Sequence, residues 1–144
     1  MKTLTLLLAV VLPLCATSCK GFFKGMELAK QEIAEFHKRY NDGKFSEIYE
    51  LSHSGLKQIT GEEEFMQFIQ VVHGKLGKVT DTSMQSFNIN TTNGRTTIEM
   101  VQNTTFENGK GTEQFVFIKE GEQVKIYGYH INSNDLVMED FNGG

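Results

Sequence analysis

Residues 78–132, KVTDTSMQSFNINTTNGRTTIEMVQNTTFENGKGTEQFVFIKEGEQVKIYGYHIN, decide the fold of this chain. They divide into four β-favouring segments, 79–90, 95–106, 112–120 and 123–131. Asn93-Gly94 and Asn108-Gly109 fill two of the junctions, and Glu120-Gly121-Glu122 fills the third. Each is a short polar link able to supply the positive φ that a tight hairpin needs. The pattern predicts an antiparallel meander of four strands.

Upstream, the periodicity changes from two to between three and four. Phe22, Met26, Ala29, Ile33, Phe36, His37 and Tyr40 form an apolar stripe, with Lys30, Glu32, Glu35 and Lys38 between them, the signature of an amphipathic helix. Asn41-Asp42-Gly43 ends it, since Gly accepts the left-handed conformation that closes a helix. A shorter helix is predicted over 45–51 with Phe45, Ile48 and Tyr49 inward, closed by a turn at Ser52-His53-Ser54-Gly55. Thr60 with Glu63 makes a capping-box pattern ahead of a third helix, whose stripe is Phe65, Phe68, Ile69, Val72 and Leu76. Glu62, Glu63 and Glu64 at its start and Lys75 and Lys78 at its end suit the helix dipole. The expected class is α+β, with three N-terminal helices packed on a curved four-stranded antiparallel sheet.

Composition narrows the function classes. The 144 residues suffice for one domain. A formal charge of −4 with Arg39 and Arg95 as the only arginines gives no phosphate-tracking surface, so nucleic acid is not an expected partner. Lys2, the apolar run Leu4 to Leu12 and the small residues Ala16, Thr17 and Ser18 have the layout of a secretory signal peptide, and the run is too short to span a bilayer.

Both cysteines, Cys15 and Cys19, lie in this region. Leu14-Cys15-Ala16-Thr17-Ser18-Cys19 resembles the lipobox of bacterial lipoproteins, with Ala16 where Leu is usual. The resemblance implies cleavage before Cys19 and a diacylglycerol on its thiol; the alternative is an ordinary signal peptide cut at the same place. A domain left with one cysteine has no internal disulfide to make, which favours lipidation. Lys20 after the Cys points to the outer membrane. The expected organisation is a signal peptide over 1–18, a lipidated N-terminus and tether over 19–22, a domain over 23–132 and a tail over 133–144. Removing 1–18 moves the side-chain charge from −4 to −5, because Lys2 leaves and no acid does.

The order of elements resembles the nuclear transport factor two superfamily, the cystatin-like α+β cone. Phe36, Tyr40 to Phe45, Ile48 and Tyr49 carry the resemblance at the first helical junction, Thr60-x-x-Glu63-x-Phe65 at the third helix, and Val124-x-Ile126-x-Gly128-Tyr129-x-Ile131 on the last strand. Among its members they look most like uncharacterised bacterial envelope domains. The resemblance implies a sheet wrapped around the long helix, enclosing space for a small ligand. Members include isomerases and cyclases with an acid or base in that space, and also binding or dimerising modules. One fold carries many functions, so the site must be argued separately.

No catalytic signature is present. His37, Tyr40 and Glu99 are the candidate acid/base groups: the first two share a helix face, and Glu99 lies inside a strand between Ile98 and Met100. Each has a structural alternative, as a half-buried packing residue or a solvent-facing strand position. Phe36, His37, Tyr40, Tyr49, Phe68 and Phe87 are the candidate pocket residues. Ser52-His53-Ser54 lacks the strained elbow of a serine hydrolase, and Gly109-Lys110-Gly111-Thr112 links strands instead of opening a helix, unlike a phosphate loop. His37, His53, His73 and His130 have no zinc-type spacing, so neither metal nor cofactor is expected.

Phe115-Val116-Phe117-Ile118 is apolar on both faces of its strand, and simple alternation sets Val124 and Ile126 opposite Tyr127, Tyr129 and Ile131. One helical layer covers only one side. The outer side is therefore expected to meet a second copy through Phe115, Phe117, Tyr127 and Tyr129, or to be covered by the tail through Leu136, Val137, Met138 and Phe141. The functional expectation is a lipid-anchored, non-catalytic envelope domain binding a small apolar ligand or a protein partner. The alternative is a small isomerase or cyclase.

Overall fold

The computed structural model describes residues 16–137, in the order α1 (Ala16–Asn41), α2 (Phe45–Leu51), α3 (Ser54–Ile59), α4 (Glu62–Leu76), β1 (Val79–Thr92), β2 (Arg95–Phe106), β3 (Gly109–Glu120), β4 (Gln123–Asn132) and α5 (Asn134–Val137). The chain is α+β, with an antiparallel sheet of order β1-β2-β3-β4. The helices lie mostly before the sheet and cover one face of it. The predicted signal segment through residue 15, and the tail from Met138, fall outside the described residues.

The turns follow local chemistry. Thr92 pairs with Arg95 across Asn93 and Gly94, whose φ values of 52° and 76° are those of a two-residue hairpin turn. Glu120 pairs with Gln123 around Gly121, at φ 61°. The middle hairpin departs from expectation: Phe106 pairs with Gly109, and no positive φ occurs at Glu107, Asn108 or Gly109. Gly109 serves proximity instead. A Cβ there would stand 2.6 Å from Asp135 Oδ2, the oxygen that accepts the Lys110 backbone N–H at 3.0 Å.

Two further departures concern the helices. Ser52 to Gly55 is not only a turn, because His53 Nδ1 accepts the Gly55 N–H at 2.9 Å and caps α3. Thr60 makes no capping box. It closes α3, its carbonyl accepts the Tyr49 hydroxyl at 2.9 Å, and Gly61 precedes α4 without a side-chain cap. The stretch expected to be a tether, residues 19–22, lies within α1.

α1 is seated closely on the sheet. A Cβ at Gly25 would approach Ile89 Cδ1 to 2.9 Å. Asn41 exchanges bonds with Val79, donating to its carbonyl at 3.0 Å and accepting its N–H at 2.8 Å, which ties the end of α1 to the start of β1. The core then fills with Phe36, Tyr40, Ile69, Leu76, Ile98, Met100, Phe115 and Phe117, all buried.

Strand β4 carries the main correction. Val116 pairs with Gly128 and Phe117 with Ile126, so Tyr127 is an extra residue in the ladder, a β-bulge that resets the alternation. Ile126, Tyr129 and Ile131 consequently all turn toward the helices, and Ile126 and Ile131 are buried. Phe115 and Phe117 are fully buried in the core, so neither can form a dimer face, and Tyr129 packs against Phe115 at 5.1 Å. The outer face instead carries Glu99, Val101, Gln114, Val116 and His130, mostly half-exposed and largely polar. The described part of the tail does not cover the outer face as expected: Leu136 packs on the core, on the helix side, and its carbonyl accepts Lys75 Nζ at 3.1 Å.

Candidate functional site

The period-two pattern that sends Phe115 and Phe117 inward also sends Glu113 inward. It is 1% exposed. An isolated buried carboxylate costs several kcal/mol, so it must be paired and hydrogen-bonded. Three elements supply the partners. The Tyr129 hydroxyl from β4 donates to Oε1 at 2.6 Å. The Thr104 hydroxyl from β2 and His37 Nε2 from α1 both donate to Oε2, at 2.5 and 2.8 Å. An ionised carboxylate can only accept, which assigns the proton on the imidazole edge facing it to Nε2.

The rings around this cluster are packed. Phe36 lies 4.8 Å from Tyr129 and 5.1 Å from Phe115 between ring centroids. Burial, followed by the charge of Glu113, pushes the Tyr129 phenol well above its ordinary pKa. Such a phenol is a poor acid, and its proton is already committed to Glu113. Both carboxylate oxygens are engaged, and the surrounding space is filled by Phe36 and Phe115.

Beside this interior, a cleft of about 530 Å³ opens between α3, α4 and β4. Leu56 and Ile59 come from α3, Phe65 and Phe68 from α4, and Tyr127 and Tyr129 from β4. Ile59 and Phe68 are 71% and 41% exposed, unusual for large apolar groups on adjoining helices. Glu64 and His130 are the ionisable groups of its lining besides the tyrosines. The bulge aims Tyr127 into the wall, and Gly55 lets it come close: a Cβ at Gly55 would stand 2.5 Å from Tyr127 Cε2. Tyr129 belongs to both places, with its ring on the cleft and its hydroxyl on Glu113.

Of the acid/base candidates, only His37 joins the cluster. Tyr40 donates to the Gly77 carbonyl at 3.0 Å and packs on Phe36, Phe45, His73 and Phe106, which makes it a latch between α1 and the end of α4. Its phenol is also raised, by burial first and then by Glu113 and Glu107. Glu99 lies on the outer sheet face, accepting Gln114 Nε2 at 2.5 Å; it pairs across the ladder with Val116 of the cleft lining but is itself part of neither the cluster nor the lining.

Of the pocket candidates, Phe68 lines the cleft. Phe36, His37, Tyr40 and Tyr49 are buried packing residues, and Phe87 stacks edge-on against Phe22 at 5.1 Å near the start of α1. Sequence reasoning passed over Glu113, Thr104 and Ile59. Glu113 had a signal in its two-residue spacing from Phe115 and Phe117.

Among the described residues, no group of three or more His, Cys, Asp or Glu side chains is placed to hold a metal ion, and no helix is long and apolar enough to cross a membrane. No protein-family model matches the chain, and no curated protein sequence matches it.

Proposed function

We propose that this chain is an exported, lipid-anchored and non-catalytic binding domain that takes an apolar ligand body in the cleft between α3, α4 and β4. One observation carries the reading: the interior carboxylate is saturated by three donors, while Ile59 and Phe68 on the walls of the adjoining cleft stand exposed. A cleft of this volume falls in the range of small-molecule sites and is walled mainly by apolar groups with few polar ones. Apolar side chains of a protein partner would meet the same chemistry. The envelope location follows from the apolar run Leu4 to Leu12 and the lipobox-like Cys19, and the resemblance to the nuclear transport factor two superfamily fits a binding module.

The test is a titration with 8-anilinonaphthalene-1-sulfonate, whose emission rises in apolar sites. Saturable one-site binding is expected, weakened roughly tenfold in Phe68→Ala, in line with the loss of a mostly buried aromatic contact. Phe68 is already partly exposed, so that variant keeps its fold. Binding unaffected by both Phe68→Ala and Ile59→Ala rejects the cleft.

The contact of Tyr129 with both the cleft and Glu113 favours a second reading, acid/base chemistry on a cleft-bound carbonyl compound. It predicts deuterium exchange at the carbon next to the carbonyl of an added cyclic ketone, abolished in Tyr129→Phe. The binding reading predicts exchange no faster than in buffer.

A further inference from the structure

The start of α1 presents an apolar surface that neither core nor cleft uses. Phe23 is 63% exposed and Phe22 42%, and they share a groove of about 650 Å³ with Cys19, Ile89, Thr91, Thr96 and Lys119. Phe22 is held by its edge-on contact with Phe87, whereas among the described residues Phe23 has a ring contact with Phe22 alone, at 5.9 Å. Lys119 lines the groove, and two further cations, Lys20 and Arg95 at the β1–β2 hairpin, adjoin its lining residues Cys19 and Thr96 in sequence. None forms an ion pair with a carboxylate among the described residues. The acids nearby are engaged, Glu122 with Lys24 and Glu120 with Lys125. Glu27 stands a helical turn further along. Lys119 Nζ donates to the Gly121 carbonyl at 2.6 Å, and a chain of net charge −4 thus gathers positive charge near its exposed aromatic pair.

We infer that this end of the molecule is a bilayer-docking surface, with Phe22 and Phe23 entering the headgroup boundary and Lys20, Arg95 and Lys119 meeting anionic lipid. Two observations select a membrane over other occupants. The charge is complementary to an anionic leaflet. The groove also includes Cys19, immediately downstream of the apolar segment Leu4 to Leu12. The inference rests on the lipid-anchored reading and adds an orientation to it. Because α1 runs unbroken through residues 16–41, no spacer separates Cys19 from the domain. Acyl chains on Cys19 would therefore bring the β1–β2 hairpin tip down onto the lipid, with α1 standing away from the surface.

The chain contains no Trp, so Phe23→Trp places a single indole at the exposed position. Protein bearing that substitution, purified from its exporting host, is added to phosphatidylethanolamine–phosphatidylglycerol vesicles with and without bromine on the acyl chains. Amphipathic surfaces bury apolar groups to a depth of about 5–10 Å, so the indole emission should shift to the blue and lose roughly half or more of its intensity to brominated lipid. An indole introduced by Ile59→Trp, in the cleft, should show neither change. Emission from position 23 that stays water-like and unquenched in the vesicle-bound protein overturns the inference, as does equal quenching at position 59.

Intact mass of the same preparation reads the anchor separately. Acyl chains with an unquenched indole leave the anchor standing and the docking refuted. A quenched indole on unacylated protein supports the docking and refutes the anchor.

Discussion

Glu113→Ala is the most informative single change, because the structure fixes what it leaves behind. Thr104, Glu113 and His37 are all buried, so removing the carboxylate strands the Thr104 hydroxyl and His37 Nε2–H without a partner. Tyr129 is half-buried and lines the cleft, where its hydroxyl can turn toward solvent. Two stranded donors at about 1–3 kcal/mol each place the loss at roughly 2–6 kcal/mol, before any cavity cost. A domain of this size has about 5–15 kcal/mol in total, so the variant loses a large share of its stability.

Urea unfolding followed by far-ultraviolet circular dichroism reads this directly. With a slope near 1.5 kcal/mol per molar, the midpoint should fall by about 1.3–4 M. Glu113→Gln is the control. Its amide can keep the carbonyl toward Thr104 and His37 while Tyr129 reorients to accept, so about 1 kcal/mol is expected from exchanging charge-assisted bonds for neutral ones. Wild-type stability in Glu113→Ala would refute the view that the cluster holds four elements together.

Two other predictions follow from the same geometry. Tyr129 and Tyr40 both have phenols raised above their ordinary pKa near 10, with burial the first cause, so their contribution is complete below pH 10 and is lost as pH rises toward the folded values. Stability should therefore fall above pH 10 by about 2.7 kcal/mol per pH unit for the pair, and Tyr129→Phe should roughly halve that slope in alkaline urea titrations; an unchanged slope contradicts the assignment. Gly55→Ala sets a methyl against the Tyr127 ring, which should cost about 1–3 kcal/mol of stability and weaken dye binding in the cleft. A variant with wild-type thermal midpoint and affinity would show that the contact does not shape the wall.

The strands were legible because their signals are local. Turn chemistry at Asn93-Gly94 and Gly121 and the β-branched runs between the turns set the four strands to within a few residues at each end. The long helices followed equally from their apolar stripes. The bulge at Tyr127 was not legible: a period-two reading of Val124 to Ile131 contains no break, and the extra residue shows only in the pairing with β3. Glu113 was hidden for a different reason. An acid in an apolar strand is ordinarily assigned to the solvent face, and the donors that reverse this stand 9, 16 and 76 residues away in sequence. His53 looked like a turn residue because its cap on α3 depends on a ring nitrogen, outside the usual Ser, Thr, Asp and Asn set.

The central claim, that ligand enters the cleft and not the interior, is tested most directly by backbone amide NMR during titration with 8-anilinonaphthalene-1-sulfonate. The account predicts the largest shifts at 56–60, 64–68 and 127–130, with Thr104 and Glu113 moving little. Maximal shifts at His37, Thr104 and Glu113, with Ile59 and Phe68 unmoved, would contradict it.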